Sequence, residues 1–213
     1  MSAKPSMLQH WPCACLALML TTVACHPAWA DEYRYDTVHS QILVSASHDG
    51  YSNPVGRLHL TSGWLRFDTA DWSNAATALS INLASIDMGD ADWNSALCDP
   101  NYLDCAQRST ARFVSDHVQR TGPNTGIVFG TLSLRGISQP LAINFTLNRL
   151  ATTIFGMHRV IGFSGTVRLD RTAFGMTANT RSVGTKVNVR LEIEAIRTGP
   201  ASDHSKTKTS SPP

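Results

Sequence analysis

The stretch Leu141-Ala-Ile-Asn-Phe-Thr-Leu-Asn148 places apolar residues at 141, 143, 145 and 147, with small or polar ones between them. A two-residue period puts one set on each face of a pleated strand, so the segment reads as a strand with one apolar face. The same rhythm recurs on both sides. Downstream, Arg159, Ile161, Phe163, Gly165, Val167 and Leu169 share a face, and Val187, Val189, Leu191 and Ile193 share another, opposite Asn188, Arg190, Glu192 and Glu194. Upstream, Leu79, Ile81 and Leu83 alternate with Ser80, Asn82 and Ala84, while Ile127 to Leu134 is apolar towards both faces. Shorter runs cover Ile42 to Ala46, Val55 to Leu60, Trp64 to Phe67 and Ala111 to Val118. Gly50, Ser62-Gly63, Pro123-Asn124 and Gly136 to Pro140 punctuate them. That makes about nine runs, or about eight if Val55 to Phe67 is one strand bent at Ser62-Gly63. The pattern predicts an all-β antiparallel sandwich or barrel, and about eight strands suffice to close a barrel with room for side chains or one ligand.

One interval breaks the rhythm. From Asp87 to Ser109 there is no alternation; Asp90 is placed to cap a helix through Leu97, and Asp99-Pro100 to start a second through Gln107. This excursion is expected to lie across an end of the sheet, where Trp93, Leu97, Tyr102 and Leu103 plug or line an opening.

The chain has 213 residues, 42% apolar and 16% charged, with a formal net charge of +2. That length buries a core without help from metal, and the small charge leaves no basic excess for tracking phosphates, so nucleic acid is not an expected partner. At the N-terminus, Lys4 precedes the uncharged run Cys13 to Ala24, then Ala28-Trp-Ala30 and Asp31-Glu32. This is the pattern of an export signal over residues 1–30. Thr22-Val-Ala-Cys25 imperfectly matches a lipoprotein box, and processing there would leave a membrane anchor on Cys25 instead. The expected location is periplasmic or secreted. Cleavage at Ala30 leaves Cys98 and Cys105, an even pair in an oxidising setting, which predicts a disulfide. Residues 31–198 then form one domain, and 199–213, with almost no apolar residue, form a disordered tail.

Catalytic and metal signatures are absent. No His-x-x-x-His pair, nucleophile elbow, phosphate loop or dinucleotide fingerprint occurs, and Asp36, Asp68, Asp87 and Asp170 sit beside turn residues, where capping is their usual work. No metal, cofactor or catalytic residue is expected.

Read end to end, the body resembles the YceI-like family of bacterial exported proteins. Tyr35-Asp36-Thr-Val-His39-Ser40 is similar to the family's Asp-x-x-His-Ser start, followed by His48-Asp-Gly50-Tyr-Ser52 and Val55-Gly56-Arg57. Ile86-Asp87, Leu103-Asp104 and Ala111-Arg-Phe113-Val-Ser115 come next, then Gly130-Thr-Leu132-Ser-Leu134-Arg-Gly136-Ile-Ser-Gln-Pro140. Asp170-Arg171-Thr-Ala-Phe174-Gly175-Met176 resembles the Arg-x-x-Phe-Gly-Met signature, and Val183-Gly184 and Val187 lead into the last strand. The Cys98 to Cys105 insertion departs from the pattern, as do Leu58 and Leu60, where an aromatic is frequent.

The resemblance implies an eight-stranded antiparallel lipocalin-like barrel with a helical segment (about 88–108), enclosing a cavity for a polyisoprenoid or related lipid, such as a prenyl quinone or prenyl pyrophosphate. It implies no catalytic residues. Phe67, Leu83, Phe113, Phe129, Phe145 and Phe163 are the lining candidates. Phe174 and Met176 of the signature are placed at or near the cavity. Arg171 either meets a polar head group or pairs with Asp170 or another carboxylate, and His39 hydrogen-bonds within the fold. Two alternatives stay open: an enzyme acting on a lipid or quinone at the barrel mouth, and a non-catalytic accessory module with a membrane-protein partner. The oligomeric state is open too, a dimer included.

Overall fold

The computed structural model describes residues 30–200. The leader expected over 1–30, apart from Ala30, and the tail from 201 onward lie outside the described residues, as does the Cys25 alternative. The strands are β1 (Asp31–Tyr35), β2 (Gln41–His48), β3 (Val55–Phe67), β4 (Ala76–Asp87), β5 (Thr110–Arg120), β6 (Thr125–Leu134), β7 (Ile137–Thr152), β8 (Arg159–Asp170) and β9 (Val183–Pro200). All pairings are antiparallel and join neighbours from β3 to β9 in sequence order. Closure runs through β1 and β2, which share one position between β3 and β9. β1 pairs with Trp64 to Phe67 and with Ala195 to Pro200, whereas β2 pairs with Val55 to Leu58 and with Val183 to Glu192. The result is a closed antiparallel barrel of eight strand positions with one short helix.

Val55 to Phe67 is one strand, with register shifts between Arg57 and His59 and between Leu60 and Ser62. Gly63 is required there, because a Cβ would lie 2.6 Å from the Ala78 carbonyl oxygen and 2.5 Å from the Tyr35 ring. Two elements differ from expectation at the ends of the domain. β1 was hidden by its charged residues, and Gly199 and Pro200, assigned to the tail, pair with Glu32 and Asp31.

The excursion contains one helix rather than two. α1 (Ala91–Leu97) is capped by Asp90, whose side chain accepts from the Trp93 N–H at 2.9 Å. From Asp99 the chain instead makes successive turns, since Asp104 adopts a φ of 54°. Leu103 N–H returns to the Leu97 carbonyl at 2.9 Å, and Cys98 and Cys105 are joined by a disulfide.

The break between β1 and β2 is closed by the Asp36 to Ser40 segment. The Asp36 carboxylate accepts from the Val38 and His39 N–H groups (2.9 and 3.1 Å) and from the His39 ring (2.8 Å). Ser40, itself buried, donates its hydroxyl to the Glu194 carbonyl and accepts from the Glu194 N–H at 3.1 Å. The hydroxyl thus stands in for strand backbone opposite the Glu194 N–H, while the Glu194 carbonyl also accepts from the Asp36 N–H at 2.9 Å. Burial opposes ionisation of Asp36, but the bonds from His39 and Val38 outweigh it and hold the carboxyl below its usual range. The same bond raises His39 above the ordinary imidazole value.

Ser40→Ala leaves the Glu194 N–H without this partner and is expected to lower stability by about 1–3 kcal/mol in urea unfolding. In NMR the His39 ring is expected to titrate above the ordinary imidazole value, and Asp36→Asn to lower its midpoint. The pair's contribution is present below the unfolded histidine value and fades as pH rises through the higher folded one. On the acid side it fades as pH falls through the depressed Asp36 value.

Candidate functional site

The barrel interior is divided along its axis. At the end carrying the β3–β4, β5–β6 and β7–β8 turns, aromatic rings fill the bore. Asp71 caps a single 3-10 turn (Trp72–Asn74) that lays Trp72 across this end. The Trp72 ring stacks on Phe145 (centroids 5.5 Å) and packs against Phe67 (5.2 Å), while Phe163 meets both Phe67 (5.5 Å) and Phe145 (5.7 Å) edge-on. The Arg120 guanidinium covers the outer face of Trp72 at 4.7 Å. These four rings form a floor.

Beyond the floor lies a cavity of about 620 Å³. Its walls are aliphatic for most of their depth, with Ile42, Leu79, Ile81, Leu132, Ile143 and Val189 among the inward residues, and no Asp, Glu or Lys lines it. Polar lining residues collect at the mouth, where Ser47, His48, Tyr102, Asn179 and Ser182 stand with Arg171. The excursion borders this opening through Trp93, Leu97, Tyr102 and Leu103, as its composition predicted. Three mouth segments are tied together. Arg135 in the β6–β7 turn donates to the Pro100 carbonyl at 2.6 Å and to that of Phe174 at 3.5 Å, and the Asn179 amide donates to the Tyr102 hydroxyl at 3.0 Å.

Against known proteins, residues 33–195 match the family model described as the YceI-like domain. The chain belongs to the YceI-like family. A UPF0312 protein of Shewanella denitrificans is 31% identical over 170 residues, covering 79% of this chain and 88% of that protein. One from Shewanella baltica is 29% identical over 159 residues, covering 75% and 83%. Among solved structures, Burkholderia cenocepacia BcnA aligns with TM-score 0.68 at 21% identity, covering 75% of this chain and 98% of that one. A polyisoprenoid binding domain from Saccharophagus degradans aligns with TM-score 0.60 at 17% identity, covering 78% and 98%. At these identities the structural likeness speaks to the fold.

Within this YceI-like barrel the sequence-predicted residues separate into three groups. Leu83, Phe113, Arg171, Phe174 and Met176 line the cavity. Phe67, Phe145 and Phe163 point inward but do not line it, because they sit at the floor and pack on one another and Trp72. Phe129 faces outward, stacked on His117 at 4.6 Å, because Gly130, Leu132 and Leu134 are the buried set on β6. Sequence reasoning missed Trp72 and the aliphatic walls. A signal was present in Asp71-Trp-Ser-Asn74, a side-chain-capped turn with a large aromatic in it.

The YceI-like signature loop is built by its own polar residues. Asp170 caps the second 3-10 turn (Arg171–Phe174), accepting from the Thr172 N–H at 3.0 Å, and Gly175 ends it in the left-handed region at φ 78°. The Lys186 ammonium 2.7 Å away, with Thr172, holds the Asp170 carboxyl down to about 2. Arg171 pairs with neither Asp170 nor another carboxylate among the described residues. Its buried guanidinium donates instead to the carbonyls of Met176, Ala178 (2.7 Å), Val183 (2.8 Å) and Gly184 (3.0 Å). It thereby clamps the segment between β8 and β9 against the mouth, with its cationic face 5.8 Å from the Tyr102 ring. Arg171→Met strands these carbonyls and is expected to destabilise the protein by at least about 3 kcal/mol in urea unfolding, with Arg171→Lys recovering only part of the loss.

Proposed function

We propose that the protein binds one long-chain lipid of the isoprenoid class in the barrel, tail towards the aromatic floor and head at the polar mouth. The observation that carries this reading is the aliphatic cavity of about 620 Å³, whose polar lining is confined to one end. Such a site matches an amphiphile. Each buried methylene contributes about 0.8 kcal/mol. About ten carbons give roughly 8 kcal/mol gross against an association cost of at least about 4, so a long tail is needed for useful affinity. At the mouth, Arg171 supplies a positive charge that no carboxylate of the described residues neutralises, which favours an anionic or strongly polar head such as a prenyl phosphate or a quinone ring. The polyisoprenoid-binding domain among the structural neighbours supports the same class.

Binding fits the site better than catalysis. The His–carboxylate pair whose titration is perturbed, Asp36 and His39, lies at the exposed turn between β1 and β2 and is not part of the cavity lining. His48 does line the cavity, but its ring stands 3.9 Å from the Asp49 carboxylate, beyond hydrogen-bond range, and packs edge-on against Trp93 at 5.7 Å. The export signal read from residues 1–30 makes the periplasm the proposed place of action.

Native mass spectrometry of protein from an exporting host is expected to show one lipid-sized adduct per barrel. Val167→Trp projects an indole from the cavity wall and should abolish the adduct while leaving the unfolding midpoint within a few degrees. Protein that carries no lipid and takes up neither a prenyl quinone nor a prenyl phosphate in solution overturns the reading.

A further inference from the structure

We propose that the tip of the β7–β8 hairpin is a membrane-surface anchor that seats Ile154, Phe155 and Met157 in an anionic lipid surface. These residues are 82%, 80% and 73% exposed, which makes the tip a cluster of large apolar side chains within four positions. Isolated exposed apolar residues need no explanation, but a contiguous cluster marks a contact surface. The cluster is held outward by a formed turn. Thr153 N–H donates to the His158 carbonyl at 2.8 Å, the Thr153 hydroxyl accepts from the Phe155 N–H at 3.2 Å, and Gly156 and Met157 both take positive φ (74° and 52°). The side chains are therefore presented to solvent by a closed loop instead of packing back onto the barrel.

Charge selects the occupant. The chain carries no Asp or Glu between Asp116 and Asp170, and of the arginines in that interval Arg120, Arg149 and Arg159 fall at the tip's end of the barrel, while Arg135 and Arg168 fall at the mouth. The formal net charge of +2 conceals this separation. Arg149 lies three residues before Thr152 on β7, and Arg159 opens β8 opposite Thr152 with its guanidinium hydrogen-bonded to the Tyr33 side chain, so two cations stand at the barrel side of the apolar tip. Of the acidic residues at this end, Glu32 lies on β1 opposite Arg66 and Gly199, Asp31 is paired with Arg197 at 2.7 Å, and Asp68 and Asp71 belong to the β3–β4 connection, where they accept from the Ala70 and Ser73 N–H groups. An apolar point with cations at its base suits the boundary between acyl chains and anionic headgroups. A second copy of the chain would bring the same cations against themselves.

The test compares the protein purified from an exporting host with its Ile154→Ser/Phe155→Ser variant, both checked for retained β-sheet circular dichroism. Each is floated with vesicles of phosphatidylglycerol mixed with phosphatidylcholine, and with phosphatidylcholine alone. Burial of the two side chains is worth about tenfold each, so the variant is expected to partition roughly 100-fold more weakly onto the anionic vesicles. Wild-type binding should also weaken without phosphatidylglycerol and on raising salt. Phe155→Trp provides a readout local to the tip, with a blue shift of its emission on anionic vesicles. Equal partition of the two proteins, no partition of the wild type, or an unshifted Phe155→Trp spectrum overturns the proposal. So does a concentration-dependent self-association of the wild type that the variant loses without any difference on vesicles.

Discussion

Everything in this barrel depends on how the sheet passes the break between β1 and β2. A closed sheet has no free edge, and an interruption in one strand leaves its neighbours' backbone groups facing nothing. Ser40 and Asp36 meet that demand together: the Ser40 hydroxyl accepts from the Glu194 N–H, the Asp36 N–H and the Ser40 hydroxyl donate to the Glu194 carbonyl, and the Asp36 carboxylate fixes the turn. The break also falls where the interior changes character. β1 sends Tyr33 and Tyr35 into the filled end, while β2 sends Ile42 and Val44 into the hollow one. Tyr35 shows how strict the filled end is: its hydroxyl is bonded to Thr77, and burial pushes its ionisation up to about 12.

How much of this was legible follows from what alternation can encode. Period two identifies strands and, wherever one face is polar, tells which face turns inward. It therefore found β4, β7, β8 and β9; of the lining candidates given with the resemblance, Leu83 and Phe113 face the cavity. It carries no information about height along the barrel axis. Phe67, Phe145 and Phe163 have the right parity and the wrong depth, so they pack a floor and leave the walls to aliphatic residues. Phe129 fails for another reason: on a strand apolar towards both faces, parity is ambiguous, and β5 shifts register between Ser115 and His117 beside it. β1 was missed because Asp31-Glu-Tyr-Arg-Tyr35 has only two apolar residues to alternate. The second helix was over-read, because its N-cap was sound while the left-handed residue at Asp104 had no sequence signal beyond being an Asp.

The signature residues illustrate the difference between a motif and a site. Asp170, Arg171 and Gly175 spend their hydrogen bonds on the loop that carries them. Their effect at the cavity is to position Phe174 and Met176 and to fix the rim. Arg171 combines the two jobs, since carbonyls satisfy its donors without cancelling its charge.

The aromatic floor makes the cavity a blind bore. A guest that enters through the mouth must leave by backing out along the same path, so its exchange requires the whole buried length to be withdrawn before a successor can begin to enter. The depth from the rim to Trp72 also works as a gauge: chains shorter than the bore leave a void beneath them, and longer ones hold their heads clear of the rim. For the ligand proposed above, the ring stack would thus meter chain length from a position away from the head group.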